Sequence, residues 1–132
     1  MEDKKPARKK VLIIEDSKFT RERLSQILEN LDFEIVATAE DGPTGISCFR
    51  EYKPDIVTID MVMPGYLKGI DCLRLLKQID PNVAVVMVTS VSNEKSVRGC
   101  IEEGARHYIL KPFNEKKIED VMKKITLPYP NG

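Results

Sequence analysis

The sequence predicts an α/β domain: five parallel strands in one sheet, with helices on both faces. Three observations predict it. Five short apolar runs are spread along the chain. Segments of helical period separate them, and the connections between the two kinds of segment are short. That alternation suits a parallel sheet whose crossovers are helices.

The elements follow in order. Residues 11–14 are continuously apolar, as a strand buried on both faces requires. Leu24, Ile27, Leu28 and Leu31 recur at i, i+3, i+4 and i+7, and Ser17 is a suitable N-cap for that helix. Residues 34–39 alternate more and suit an edge strand. The helix expected over 42–52 has the weakest signal, because Gly42, Pro43 and Gly45 crowd its start and read as a turn. Residues 55–59 give the third strand and 83–88 the fourth. Ile70, Leu73, Leu76 and Ile79 form a narrower helical stripe, as do Val97, Cys100 and Ile101, after which Gly104 suits a helix C-terminus. Residues 107–110 are the fifth strand. Ile118, Val121, Met122 and Ile125 mark a last helix, with Asn114 as its N-cap. Residues 1–9 read as a basic tail, 10–126 as the domain and 127–132, with Pro128 and Pro130, as a second tail.

At 132 residues the chain is expected to be one domain with a real core. Its 21 basic and 21 acidic residues cancel, which argues against nucleic-acid binding through bulk charge. The first ten residues hold five basic against two acidic side chains, and the rest hold 16 against 19. No apolar run approaches the roughly 18 residues that span a bilayer, so membrane insertion is not expected. Three widely spaced cysteines without a C-x-x-C suit a reduced, cytoplasmic compartment. One histidine, His107, cannot build a zinc site.

Ligands of open α/β sheets bind at the carboxyl ends of the strands. Here those ends carry Glu15 and Asp16, then Asp60, then Thr89 and Ser90, then Lys111 before Pro112. Three converging carboxylates repel one another and resist burial. A hard divalent cation with oxygen ligands relieves this, and Mg²⁺ fits. A neighbouring lysine then suits phosphate. These are the parts of a phosphoryl-transfer site: cation, ammonium, hydroxyl and carboxylate nucleophile. Singly, each residue is as well explained by a cap or a turn. Jointly, their placement along one edge is not. G-x-x-x-x-G-K-[ST], G-x-G-x-x-G and G-x-S-x-G are all missing from the sequence.

Val11-Leu-Ile-Ile-Glu15-Asp16, Asp55-Ile-Val-Thr-Ile-Asp60-Met-Val-Met-Pro64-Gly, Met87-Val-Thr89-Ser90 and Tyr108-Ile-Leu-Lys111-Pro112-Phe113 together resemble the receiver domain of bacterial response regulators. The resemblance runs from about Lys10 to Ile125 and rests on the ordered set of four motifs. It implies a flavodoxin-like strand order 2-1-3-4-5. It implies Asp60 as phosphoacceptor and Asp16 and Asp60 as Mg²⁺ ligands. Glu15 would act largely through water, and the Val62 backbone carbonyl would be a further ligand. Lys111 is implied as partner of the phosphoryl oxygens, Thr89 as the switch hydroxyl and Tyr108 as the switch aromatic, with a cis Lys111–Pro112 bond. Three features depart from the commonest family pattern. The first acid is Glu15 rather than Asp, and four residues, one more than expected, separate Pro64 from Gly69. Val62 and Val91 are apolar where many members are polar, along the approach of attacking water.

The resemblance implies a signalling phosphoswitch rather than a turnover enzyme: a stand-alone chemotaxis-type regulator, monomeric or weakly dimeric. Its phosphodonor would be a sensor histidine kinase, and its output face, helix 4, strand 5 and helix 5, would bind a downstream target protein. A phosphorelay intermediate is the alternative within the class. A Mg²⁺-dependent aspartyl phosphohydrolase is the alternative outside it, although such enzymes place a second acid where this chain has Val62.

Overall fold

The computed structural model describes residues 7–126. The elements run β1 (Lys10–Ile14), α1 (Lys18–Asn30), β2 (Glu34–Ala39), α2 (Gly42–Tyr52), β3 (Ile56–Ile59), α3 (Gly69–Ile79), β4 (Ala84–Thr89), α4 (Glu94–Glu102), β5 (His107–Leu110) and α5 (Glu115–Thr126). All strands are parallel, in the order β2-β1-β3-β4-β5, as expected. Residues 7–9 are exposed and precede β1, while the rest of both expected tails lies outside the described residues.

Two buried clusters flank the sheet. Leu12, Ile14, Val57, Ile59, Val85 and Met87 pack toward α2, α3 and α4 through Phe49, Leu73, Leu76 and Cys100. Val11, Ile13, Ile56, Val86, Val88 and Ile109 pack toward α1 and α5 through Leu24, Leu28, Ile118 and Met122. The alternation of side chains along each strand sends successive residues to opposite clusters, so the central strands are buried on both faces and mostly apolar, with Thr58 and Thr89 the buried polar exceptions. β2 lies at an edge and is only half-buried along most of its length.

The expected helix signals hold. Ser17 Oγ accepts from Thr20 N–H at 3.3 Å, and Asn114 Oδ1 from Lys117 N–H at 2.8 Å. Gly104 takes φ +107 beyond α4, a conformation that a side chain would strain. Two sequence expectations need correction. The 42–45 segment is not a separate turn but the first turn of α2, capped by Asp41 Oδ1 on Thr44 N–H at 2.8 Å. Pro43 lacks only an N–H that has no intrahelical partner there. The stripe on α3 is also displaced: Cys72, Leu73 and Leu76 are buried, while Ile79 lies toward solvent. All three cysteines are free. Burial, with Asp71 and Asp41 adding to it, pushes the Cys72 thiol up to about 11. Among the described residues no helix is long and apolar enough to cross a membrane.

Candidate phosphoryl-transfer and metal site

Parallel strands that all point one way bring their carboxyl ends to one edge. There β1 delivers Glu15 and Asp16, β3 delivers Asp60, β4 ends in Thr89 and β5 leads into Lys111. One ligand oxygen from each of Glu15, Asp16 and Asp60 lies within 4.8 Å of the others. Glu15 and Asp60 are 2% and 6% exposed, while Asp16 faces solvent.

Buried carboxylates need compensation. Lys111 Nζ supplies it, 2.8 Å from Glu15 Oε1 and 2.8 Å from Asp60 Oδ2. Backbone amides take the remaining oxygens: Ser17 N–H donates to Glu15 Oε2 at 3.0 Å and Val62 N–H to Asp60 Oδ1 at 3.1 Å. Burial raises the Glu15 carboxyl, with the Asp60 charge adding to it, and the hydrogen bonds from Lys111 and Ser17 offset this only in part. Burial lowers Lys111, but its bonds to Asp60 and Glu15 outweigh that and hold its ammonium above the ordinary lysine range. A site at this edge therefore keeps a permanent positive charge beside crowded negative ones. The donor set is all oxygen, two of its carboxylates being buried and one solvated. That suits a hard cation such as Mg²⁺ that keeps part of its water, not a soft thiophilic metal.

The backbone around Asp60 is packed tightly. A Cβ on Gly69 would lie 2.3 Å from Asp60 O and 2.6 Å from Met61 Cα, so only glycine fits where α3 begins. Lys68 Nζ closes the intervening loop by donating to Met63 O at 3.3 Å and Gly65 O at 2.7 Å. The additional residue between Pro64 and Gly69 is thus taken up in a lysine-tied loop whose tip, Tyr66, is 90% exposed.

Thr89 and Tyr108 converge on one residue, Val91. Thr89 Oγ1 accepts from Val91 N–H at 3.3 Å, and Tyr108 OH donates to Val91 O at 2.6 Å. Thr89 is fully buried, and its carbonyl accepts from Lys111 N–H at 2.9 Å. The Lys111–Pro112 bond is cis. Ser90 is exposed and faces, with Phe19, Arg23 and Phe113, a hollow beside Lys111. Val62 has its side chain largely in solvent. His107 begins β5 and so lies at the opposite end of the sheet from the acids.

Sequence reasoning located every acid, the lysine and the hydroxyl. It missed Arg21, Lys68, Gly69 and Phe19. Arg21 and Lys68 bond to backbone carbonyls, which no residue pattern announces. Gly69 and Phe19 gave no more signal than any loop glycine or exposed aromatic.

A protein-family model described as the response regulator receiver domain matches residues 11–123. Chemotaxis protein CheY of Thermotoga maritima is 32% identical over 118 residues, covering 89% of this chain and 98% of that protein. CheY of Halobacterium salinarum is 36% identical over 117 residues, covering 89% and 96%. Among solved structures, the CheX–CheY–BeF₃–Mg²⁺ complex from Borrelia burgdorferi contains a similar chain. The two superpose with a TM-score of 0.86 at 33% identity, over 90% of each.

Proposed function

This chain belongs to the response regulator receiver family, and from that premise we propose that it is a single-domain phosphoswitch. Asp60 accepts a phosphoryl group from a kinase phosphohistidine, and the change is read by a target protein. The observation that carries the reading is the convergence of Glu15, Asp16 and Asp60 within 4.8 Å, bridged by one lysine.

In the proposed step an Asp60 carboxylate oxygen forms a bond to phosphorus while the donor's P–N bond breaks, and the departing imidazole nitrogen keeps the electron pair. Glu15, Asp16, Asp60 and the Val62 carbonyl would hold Mg²⁺, which when bound offsets charge on the phosphoryl oxygens. Lys111, already fixed between Glu15 and Asp60, would orient those oxygens and balance their charge. The Val62 amide, which donates to Asp60 Oδ1, keeps that oxygen directed and leaves the other facing the lysine.

The product adds about −1.5 to −2 of charge, by analogy with phosphate esters. New charge-assisted hydrogen bonds from Thr89 and Lys111 would stabilise it by roughly 1.5–3 kcal/mol each. Reversing a 1:99 population takes about 5.5 kcal/mol of differential binding, which two such bonds nearly supply if both are made only in the active state. For Thr89 to donate there, its hydroxyl must turn from the Val91 amide. Tyr108 holds the carbonyl of that same residue, so the change passes to β5 and α4. The α4–β5–α5 face carries exposed Ile101 and Leu110, apolar surface suited to a protein target. The CheY relatives favour a role in chemotaxis.

The test is incubation with Mg²⁺ and acetyl phosphate or a phosphorylated kinase, followed by mass mapping. A base-labile phosphoryl adduct on Asp60, absent from Asp60→Asn, is expected. No adduct, or an unchanged adduct in Asp60→Asn, overturns the assignment.

A further inference from the structure

Arg21 lies on α1, one turn beyond the acidic pair, with its side chain only 13% exposed. Its Nη1 donates to Glu15 O at 2.8 Å and to Asp16 O at 3.4 Å. Its Nη2 donates to Glu40 Oε1 at 3.1 Å, just past the end of β2. A guanidinium is costly to bury unless its N–H groups are paired. Here they are spent on two consecutive carbonyls of the turn that carries both acids. That turn is tied on its other side as well: Glu15 N–H donates to Ala39 O at 2.8 Å and Ser17 N–H to Glu15 Oε2 at 3.0 Å.

A carbonyl held in place fixes its peptide plane, and two fixed planes fix the direction in which the intervening side chain leaves the backbone. We propose that Arg21 is a positioning residue for the acidic cluster. By clamping the carbonyls of Glu15 and Asp16 it aims their carboxylates toward that of Asp60 and so sets the affinity of the site for a divalent cation. The proposal rests on the reading of the cluster as a Mg²⁺ site.

Two physical roles for Arg21 predict opposite signs. As a charge beside a cation site, a guanidinium repels the cation, so a neutral replacement tightens binding. As a clamp, it holds the ligands in register, so a neutral replacement loosens binding. Glu40, paired with the guanidinium, reduces the charge effect and leaves the clamp. Arg21→Gln removes both charge and fork. Arg21→Lys keeps the charge but has one nitrogen in place of the planar fork, so it cannot hold the two carbonyls and Glu40 in the same geometry.

The test measures Mn²⁺ binding by electron paramagnetic resonance and Mg²⁺ binding by calorimetry on the unphosphorylated full chain. Hydrogen exchange at the Ser17 amide and thermal melts are recorded alongside. Weakening of both metals by roughly ten-fold or more is expected in Arg21→Gln and in Arg21→Lys, with faster exchange at Ser17 and an otherwise folded chain. Unchanged or tighter binding in Arg21→Gln overturns the clamp, as does loss in Arg21→Gln that Arg21→Lys fully restores. If Arg21→Gln does not fold, Arg21→Lys decides, wild-type affinity counting against the proposal. If the wild-type chain binds neither metal saturably, the reading of the cluster as a cation site fails first and the clamp falls with it.

Discussion

At the amino ends of the strands, Asp55 Oδ2 accepts from Lys10 N–H at 2.9 Å in solvent, and Lys77 Nζ donates to Pro81 O at 2.7 Å and Val83 O at 3.0 Å. Both of these charges are satisfied by backbone groups, that of Lys77 within its own connection and that of Asp55 on the neighbouring strand. At the carboxyl ends Glu15, Asp60 and Lys111 satisfy one another across three strands, and a third acid stands beside them. The residue types are the same, but the pairing differs. A charge paired to nearby backbone closes a turn and can be changed locally. Charges that compensate one another over long sequence distances, with backbone amides taking only their remaining oxygens, stay compensated as a set, and a group that alters one of them alters all.

That difference is sharpest at Lys111. Lys111→Met strips the counter-charge from two buried carboxylates. Removing one partner of a buried pair costs about 3–5 kcal/mol, and about 3 is expected here because the ammonium keeps some solvent contact. Urea titration gives that value, and phosphorylation of Asp60 by acetyl phosphate should slow roughly 100-fold. A loss under about 1 kcal/mol with normal phosphorylation would erase the distinction between the two ends.

Gly69→Ala tests the same edge without touching a charge. The new Cβ would meet Asp60 O at 2.3 Å and Met61 Cα at 2.6 Å, both main-chain atoms that cannot swing away. Overpacking of this kind costs typically 1–3 kcal/mol, and about 2 is expected in a thermal melt. Phosphorylation should slow as well, because the backbone of Asp60, the proposed acceptor, moves. Full phosphorylation at wild-type rate would show that the site tolerates displacement of Asp60.

The elements whose reading depended on local pattern were legible in the sequence. Apolar runs at 11–14, 34–39 and 107–110 became β1, β2 and β5 almost residue for residue: β1 is central and buries both faces, while the edge strands β2 and β5 are short runs between two helical segments. The strand order was not legible from periodicity and came from the ordered motifs. The start of α2 is the least legible helix signal because Gly42, Pro43 and Gly45 together suggest a turn, whereas the missing Cβ of Gly45 makes room for Ile14 Cδ1, 2.5 Å from where that Cβ would stand. The acids, Thr89 and Lys111 could be found because the fold class sends every strand's last residue to one edge. The Arg21 and Lys68 clamps could not, since a carbonyl acceptor carries no residue identity.

Asp55→Ala probes the amino end with a smaller expected effect. It removes one solvent-exposed hydrogen bond, worth about 0.5–1 kcal/mol. Chemical denaturation should register that change, while the phosphorylation rate stays at the wild-type value. A slowed rate would mean that the two ends communicate through β3, and the contrast drawn above would be wrong.

His107, also at the amino end, has the smallest expected effect and a definite sign. Burial, followed by Lys124, Lys117 and Arg106, holds its pKa below the ordinary value of 6.5. The unfolded chain therefore takes up a proton at a higher pH than the folded one does. Stability contributed at this residue is full above about pH 6.5 and is lost as pH falls toward the depressed folded value, below which both states are protonated. His107→Gln removes that titration, so its stability should vary less than the wild type's between pH 7 and the onset of carboxylate protonation. Because the ring is half-buried and its cationic neighbours are solvated, salt should shrink the difference further. Phosphorylation of Asp60 should be unaffected by the substitution at any pH in this window. A wild-type stability that rises on acidification from pH 7 to 5.5, or a His107→Gln chain with the same slope, would contradict the assigned direction.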